Sequence, residues 1–208
     1  MFQNFYNMIQ TQFQKNISVL RTDNGREYFQ SILGDYLLHK GIVHQCSCVD
    51  TSQQNGVSER KNRHLLDVDH ALTFTMNVPK YLWGDVILTA AFLINRLSSR
   101  TLTFKSPLSM LSHKFPHLNM LTNALPLKTF GCTAFVHIHS QHRTKLDPRA
   151  IKTIFLGYSP TQKGYQCYCP QTKKMFVTRD VMFFEEIPYY SHTLPQGENQ
   201  DKEDPMWD

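Results

Sequence analysis

The 208-residue sequence contains no run of 18 apolar residues, the length a membrane-spanning helix needs. Its opening segment, MFQNFYNMIQTQFQKN, lacks the basic start and long apolar stretch of a secretory signal. These two absences lead to the expectation of an intracellular protein, nuclear or cytoplasmic, with no membrane partner. Cysteine is sparse and odd in number. The five residues include two C-x-C pairs, Cys46/Cys48 and Cys167/Cys169, a spacing that suits neither a zinc knuckle nor a disulfide framework. Alternate residues of a strand face one side, so packing is the expected role of both pairs. The ten histidines are scattered. His137 and His139 alternate on an expected strand, and His113 and His117 are interrupted by Pro116, so none reads as part of a ligand set.

Hydrophobic residues at 41% and charged residues at 19% are values of a folded chain and exclude a disordered one. The length allows one or two domains with their own cores. A net charge of +5 conceals an asymmetry. Residues 185–208 carry seven acids and a single base, Lys202, which leaves 21 basic and 10 acidic residues over positions 1–184. That larger part favours polyanions, and the end reads as a solvated acidic tail.

Helical and strand periods alternate along the first half. Phe2, Phe5, Tyr6, Ile9 and Phe13 follow helical spacing, and Ile17–Leu20 reads as a short strand. Phe29, Ile32, Leu33, Tyr36 and Leu37 form a second helical stripe, with Gly41 as its natural stop before a strand at 42–45. Strand, helix and strand with short joins predict a parallel crossover, which puts residues 21–23 and the loop after 45 at one edge of the sheet. A helix from about residue 57 turns Leu65, Val68, Leu72 and Met76 inward. After Pro79, Trp83, Val86, Ile87, Ala90, Ala91 and Ile94 give another stripe, and the two helices are expected to form a hairpin on that sheet. Residues 106–111 read as one more short helix. From Phe130 the period changes to two, with Gly131, Gly157 and Gly164 as punctuation, which predicts a small antiparallel barrel or sheet.

Two carboxylates stand in suggestive places. Asp23 follows the first strand and precedes the turn signal Asn24-Gly25. Glu59 opens the helix after the polar loop Thr51–Gly56, and thirty-five residues separate the two. Hard carboxylate ligands on rigid elements are what a Mg²⁺ site needs. An Asp-Asn-Gly is equally a plain turn, and a Glu at a helix start equally complements the helix dipole. Arg60, Lys61, Arg63 and His64 crowd the first two turns of the same helix. Positive charge there opposes the dipole, so phosphate and a solvated face are the two readings the residues leave open.

The runs RTDNGREY, HKGIVHQCSC, QQNGVSERKNRHLLD and NVPKYLWGDVILTAAFLINR, in this order and spacing, resemble the integrase of copia-type long-terminal-repeat retrotransposons from about Phe2 to Glu185. The resemblance implies an RNase H-like core with a D, D-x35-E triad binding Mg²⁺ or Mn²⁺. Asp23 matches the second Asp and Glu59 the Glu, as catalytic and metal-binding residues. The first Asp lies upstream of everything this chain contains, as does the family's His/Cys zinc module. The resemblance further implies DNA partners, both element ends and target, held by Gln54, Asn55, Arg60, Lys61, Arg63 and His64. LDPRA, FLGY and KGYQCY resemble the Src-homology-3-like barrel that follows the core, where Tyr165, Tyr168 and Phe176 with Lys163, Lys173 and Lys174 are candidates for stacking and charge contacts, while strand alternation makes core packing the expected role of about half of the aromatics.

The expected fold class is therefore α/β: an incomplete RNase H-like integrase core over residues 1–111, a linker over 112–128, a small antiparallel β-barrel over 129–185 and an acidic disordered tail over 186–208. The expected function is that of an N-terminally truncated integrase, a metal-dependent DNA strand transferase by descent and inactive as it stands. The alternative is a non-catalytic remnant that binds nucleic acid or protein. An open sheet edge beside the first strands makes self-association a further expectation.

Overall fold

The computed structural model describes residues 1–48, 52–117 and 125–190. The first elements follow the expected periods. Helix α1 (Phe2–Phe13) leads to strand β1 (Val19–Thr22), helix α2 (Ser31–His39) and strand β2 (Val43–Cys46). β1 and β2 pair in parallel, with Val19 opposite Val43 and Thr22 opposite Cys46. They form a two-stranded sheet, and among the described residues neither strand has a second neighbour. Tyr6, Leu37 and Ile42 are its buried centre, packed by Phe2, Ile17, Leu20, Leu33 and Tyr36. The Tyr6 and Tyr36 rings meet edge to face at 6.1 Å, a preferred geometry for aromatic pairs.

Helix α3 (Gly56–Thr75) and helix α4 (Trp83–Ile94) make the hairpin, joined through a 3-10 turn at Lys80–Leu82. Pro79 caps that turn rather than opening a helix. Helix α5 (Pro107–Lys114) is capped by the Ser106 hydroxyl, which accepts the Ser109 N–H at 3.1 Å. Five antiparallel strands follow: β3 (Cys132–His137), β4 (Ala150–Tyr158), β5 (Tyr165–Cys169), β6 (Lys174–Thr178) and β7 (Val181–Pro188). Their order in the sheet is β6-β5-β4-β3-β7. They form the small antiparallel sheet expected from the repeat of short strands, and among the described residues β6 and β7 do not pair.

The hairpin corrects an expectation. It does not lie on the parallel sheet. Met76, Val78, Leu82 and Val86 share one core with Phe130, Cys132, Ala134, Ile154, Phe155 and Leu156 of the C-terminal strands. Ala90 and Phe155 are fully buried, and burying a side chain such as Phe155 or Ile154 stabilises the fold by about 1.5–3 kcal/mol each. Leu125, within the expected linker, is also buried in this core.

Two glycines set how closely the layers approach. At Gly157 (φ +133°) a Cβ would stand 2.3 Å from Thr89 Oγ1, and the Thr89 hydroxyl donates to the Leu156 carbonyl at 2.8 Å. At Gly131 (φ +79°) a Cβ would stand 2.7 Å from both Met76 Cβ and Val78 Cγ2. Phe92 of α4 stacks on Tyr158 of β4 at 3.9 Å, with the Arg96 guanidinium 3.4 Å from the Phe92 ring centre. Burial pushes the Tyr158 hydroxyl up to about 12, so it stays protonated while accepting the Lys128 N–H at 2.8 Å. Residues 118–124 of the expected linker and 191–208 of the expected tail lie outside the described residues, although β7 runs on to Pro188, past the expected limit at 185.

Gly131→Ala is expected to destabilise the protein by about 1–3 kcal/mol, the range for overpacking, read as a lower urea midpoint with an unchanged slope. An unshifted midpoint would show that this approach is not tight. A second expectation concerns pH. Lys128 donates to Glu185 at 2.6 Å, and the Thr129 N–H and hydroxyl donate to the same carboxylate. The Lys128 hydrogen bond, the largest cause, holds the Glu185 carboxyl below its ordinary range. A depressed carboxyl contributes stability above its unfolded pKa and loses it as pH falls through the folded value. Lys128→Met should therefore lower the melting temperature at neutral pH, by a small amount because the pair is half exposed (less than about 1 kcal/mol). Wild type and variant should converge on acidification below the carboxylate range.

Candidate nucleic-acid cleft

The C-terminal ends of β1 and β2 face the start of α3 across a cleft of about 610 Å³ lined by Arg21, Thr22, Gln45, Cys46, Ser47, Gln54, Asn55, Val57 and Ser58. The parallel pairing makes this arrangement, because it brings the ends of β1 and β2 out at the same edge. The strand wall is polar and internally tied. Thr22 Oγ1 and His44 Nε2 are 2.9 Å apart, and Arg21 Nε donates to Gln45 Oε1 at 3.0 Å. The Ser47 N–H and hydroxyl both donate to the Thr22 carbonyl, at 3.1 and 3.2 Å. On the opposite wall Gln54 and Asn55 lie in a 3-10 turn, Ser52–Asn55, that runs directly into α3. Gln54 Oε1 accepts the Cys48 N–H at 3.0 Å, which holds the end of the β2 loop to that wall. Residues 49–51 of the loop lie outside the described residues.

Each candidate carboxylate is one residue beyond a lining residue. Asp23 follows Thr22 and Glu59 follows Ser58, and neither is itself in the lining. Asp23 is exposed, and its Oδ1 accepts the Gly25 N–H at 3.1 Å in a tight turn. Glu59 is exposed in the first turn of α3. Among the described residues no group of three or more His, Cys, Asp or Glu side chains could hold a metal ion. Arg60, Lys61, Arg63 and His64 are all exposed on the first turns of α3. Among the described residues the one ion pair is Lys128–Glu185, so these cations have no carboxylate partner there.

Other sequence expectations are corrected. Tyr165 is buried, with its hydroxyl donating to the Pro126 carbonyl at 3.2 Å, and Tyr168 and Phe176 pack against the C-terminal core. The alternation of β5 turns Tyr165, Cys167 and Cys169 inward and leaves Tyr168 half-buried on the other face, so Tyr165 serves packing rather than stacking on a ligand. Cys46 and Cys48 are exposed rather than packed. Sequence reasoning missed Thr22 as a cleft polar group and His44 as the residue that meets its hydroxyl. A Thr or His at a strand end carries no signal until the strand has a neighbour. Among the described residues no helix is long and apolar enough to cross a membrane.

Comparison with known proteins places these elements among relatives. Residues 132–196 match the family model described as the retroviral polymerase SH3-like domain. The chain is 36% identical over 187 residues, 88% of its length, to the retrovirus-related Pol polyprotein from transposon TNT 1-94 of Nicotiana tabacum. It is 33% identical over 93% of its length to the polyprotein from transposon RE1 of Arabidopsis thaliana, and 30% identical over 85% to the Transposon Ty1-DR6 Gag-Pol polyprotein of Saccharomyces cerevisiae. It spans only 10–13% of the length of these curated relatives. A solved chain from a simian T-cell lymphotropic virus intasome in complex with PP2A regulatory subunit B56 gamma covers 87% of this chain and 62% of its own length, at 17% identity and a TM-score of 0.42, too loose a likeness to place the fold.

Four of the five thiols should divide by position. Cys46 and Cys48 are expected to alkylate in the native protein. Burial pushes the thiols of Cys132 and Cys167 up to about 12, and a thiol kept protonated and covered is inert. Site-resolved mass spectrometry after a timed native pulse of iodoacetamide reads this directly. Native labelling of Cys132 or Cys167 at the rate of Cys46 would contradict the core described above.

Proposed function

Residues 132–196 belong to the retroviral polymerase SH3-like domain family and the whole chain is a relative of the Pol polyproteins of copia-type plant retrotransposons, and from that premise we propose that it is an integrase-derived, DNA-binding segment. Its first half is part of an RNase H-like integrase core, and DNA enters the cleft between the β1/β2 edge and α3. The observation that carries this reading is the run of exposed cations Arg60, Lys61 and Arg63, without a carboxylate partner among the described residues, beside the cleft wall that holds Gln54 and Asn55. Cations at a helix N-terminus work against the helix dipole. A phosphodiester backbone repays that cost, and each phosphate contact releases condensed counterions. His64 extends the same surface, and the Gln54 and Asn55 amides supply neutral hydrogen bonds to sugar and phosphate.

Asp23 and Glu59 fit Mg²⁺ or Mn²⁺ in kind, since carboxylate oxygens are hard donors. They do not fit a two-ion site in number, because the described residues hold no cluster of three such groups. Mg²⁺ is commonly held by one or two carboxylates together with substrate phosphates, so metal and DNA should bind together here, each strengthening the other. When bound, the ion would stabilise charge on phosphoryl oxygens. The turn at Asp23 fixes one carboxylate oxygen on Gly25 and leaves the other for that ion. This segment is expected to bind DNA and the ion together at the edge between β1/β2 and the start of α3.

The test is fluorescence anisotropy on a labelled duplex across a salt series, with and without Mn²⁺. The triple variant Arg60→Ala, Lys61→Ala, Arg63→Ala should flatten the plot of log affinity against log salt by about 0.9 for each phosphate no longer neutralised. Asp23→Ala and Glu59→Ala should leave that slope unchanged and remove the gain in affinity given by Mn²⁺. An unchanged slope in the triple variant would sink the assignment of the cleft. Strand-transfer products abolished by Asp23→Ala would overturn the expectation of inactivity.

A further inference from the structure

Helix α3 begins in one part of the molecule and is anchored in another. Its first turn, with Val57 and Ser58, forms a wall of the cleft. Its last turn leads to Met76, which lies in the C-terminal core under Gly131. The facing wall, with Thr22, Gln45, Cys46 and Ser47, belongs to the β1/β2 unit, whose buried residues form a separate cluster. The cleft is thus a seam between two separately packed bodies. No proline and, after Gly56, no glycine interrupts α3, so it has none of the usual causes of a kink. Glu59 and Met76 are about 25 Å apart along such a helix.

We propose that the five-stranded sheet, acting through α3 and α4, sets where the Glu59 wall of the cleft stands, with Met76, Gly131 and Thr89 as positioning residues. Three contacts make the anchor stiff. Met76 and Val78 occupy the space that a Cβ on Gly131 would need. The Thr89 hydroxyl bonds the Leu156 carbonyl next to Gly157, where no side chain fits. Phe92 stacks on Tyr158. The β1/β2 unit has a tie of its own to the helical segment, where Phe13 of α1 meets Phe115 just beyond α5 edge to face at 5.1 Å. That tie reaches α5, not α3, and across the cleft itself the Cys48 N–H donates to Gln54 Oε1 in the turn before α3. The proposal rests on the cleft being the DNA site for its functional meaning, not for its geometry.

Native-state hydrogen exchange of the wild-type chain in a series of low urea concentrations tests the mechanical part, because cooperative units open together. Amides of residues 64–75 should open with the same urea dependence as those of β3 and β4, and those of β1 and β2 should open separately. Opening of α3 in step with β1 and β2 would overturn the proposal without any variant. Thr89→Val adds a second reading. In the folded variant, exchange should rise on α3 and β4 and stay unchanged on β1 and β2. DNA affinity should fall by about two- to thirtyfold, the range of coupling through packed networks, with the salt slope unchanged because every cation of the cleft is still present. Thr89→Ser should restore both. A folded Thr89→Val chain with unaltered exchange on α3 would overturn the assignment of Thr89. If the wild type binds no DNA, the reading of the cleft as a DNA site fails, while the exchange pattern still decides how α3 is anchored.

Discussion

The close approach of α4 to β4 is the constraint on which the rest of the structure depends. The Thr89 hydroxyl reaches the Leu156 carbonyl only because Gly157 leaves the space empty. The register of β4 against β5 shifts between Phe155 and Gly157, and such an irregularity bends a strand and increases its twist. The same place receives the Phe92–Tyr158 stack, and Tyr158 in turn takes the Lys128 N–H. One glycine therefore fixes the helix, the strand and the segment that enters the sheet.

From this follows a molecule with two centres of packing. Most of the buried apolar residues described fall into a small cluster around Tyr6, Leu37 and Ile42, and a large one that joins the helical hairpin to the C-terminal strands. The small cluster has few buried residues and a two-stranded sheet with exposed Val19 and Val43. Isolated two-stranded arrangements are marginal in water, so local opening is expected to be easiest there. The cleft lies where the two bodies meet, with a polar strand wall and a cationic helix wall. Polar groups tie the strand wall to itself, and the hydrogen bond from the Cys48 N–H to Gln54 Oε1 joins its loop to the helix wall.

Much of this was legible in the residues. The apolar periods gave both helices of the hairpin, and the change to period two at Phe130 gave the antiparallel strands. The placing of Asp23 after a strand and of Glu59 in the first turn of a helix was readable from Asn24-Gly25 and from the polar loop before Gly56. Which sheet the hairpin covers was not readable. An apolar stripe says that a face is covered and says nothing about what covers it, and Val86 and Ala90 would suit either sheet. Which aromatics of β5 and β6 belong to the core was undecided for a related reason. Alternation tells which residues share a side, and the register with neighbouring strands decides which side is the core.

The sequence by itself determined the elements, the basic surface on α3 and the kinship with Pol polyproteins, because local periodicity, charge and motif order are properties of the chain alone. Only the tertiary structure decided that α3 spans from the cleft to the C-terminal core, that Tyr165 faces inward and that Cys46 and Cys48 stand exposed. The physical reason is that burial belongs to pairs of surfaces, and a single stretch of sequence describes one member of each pair.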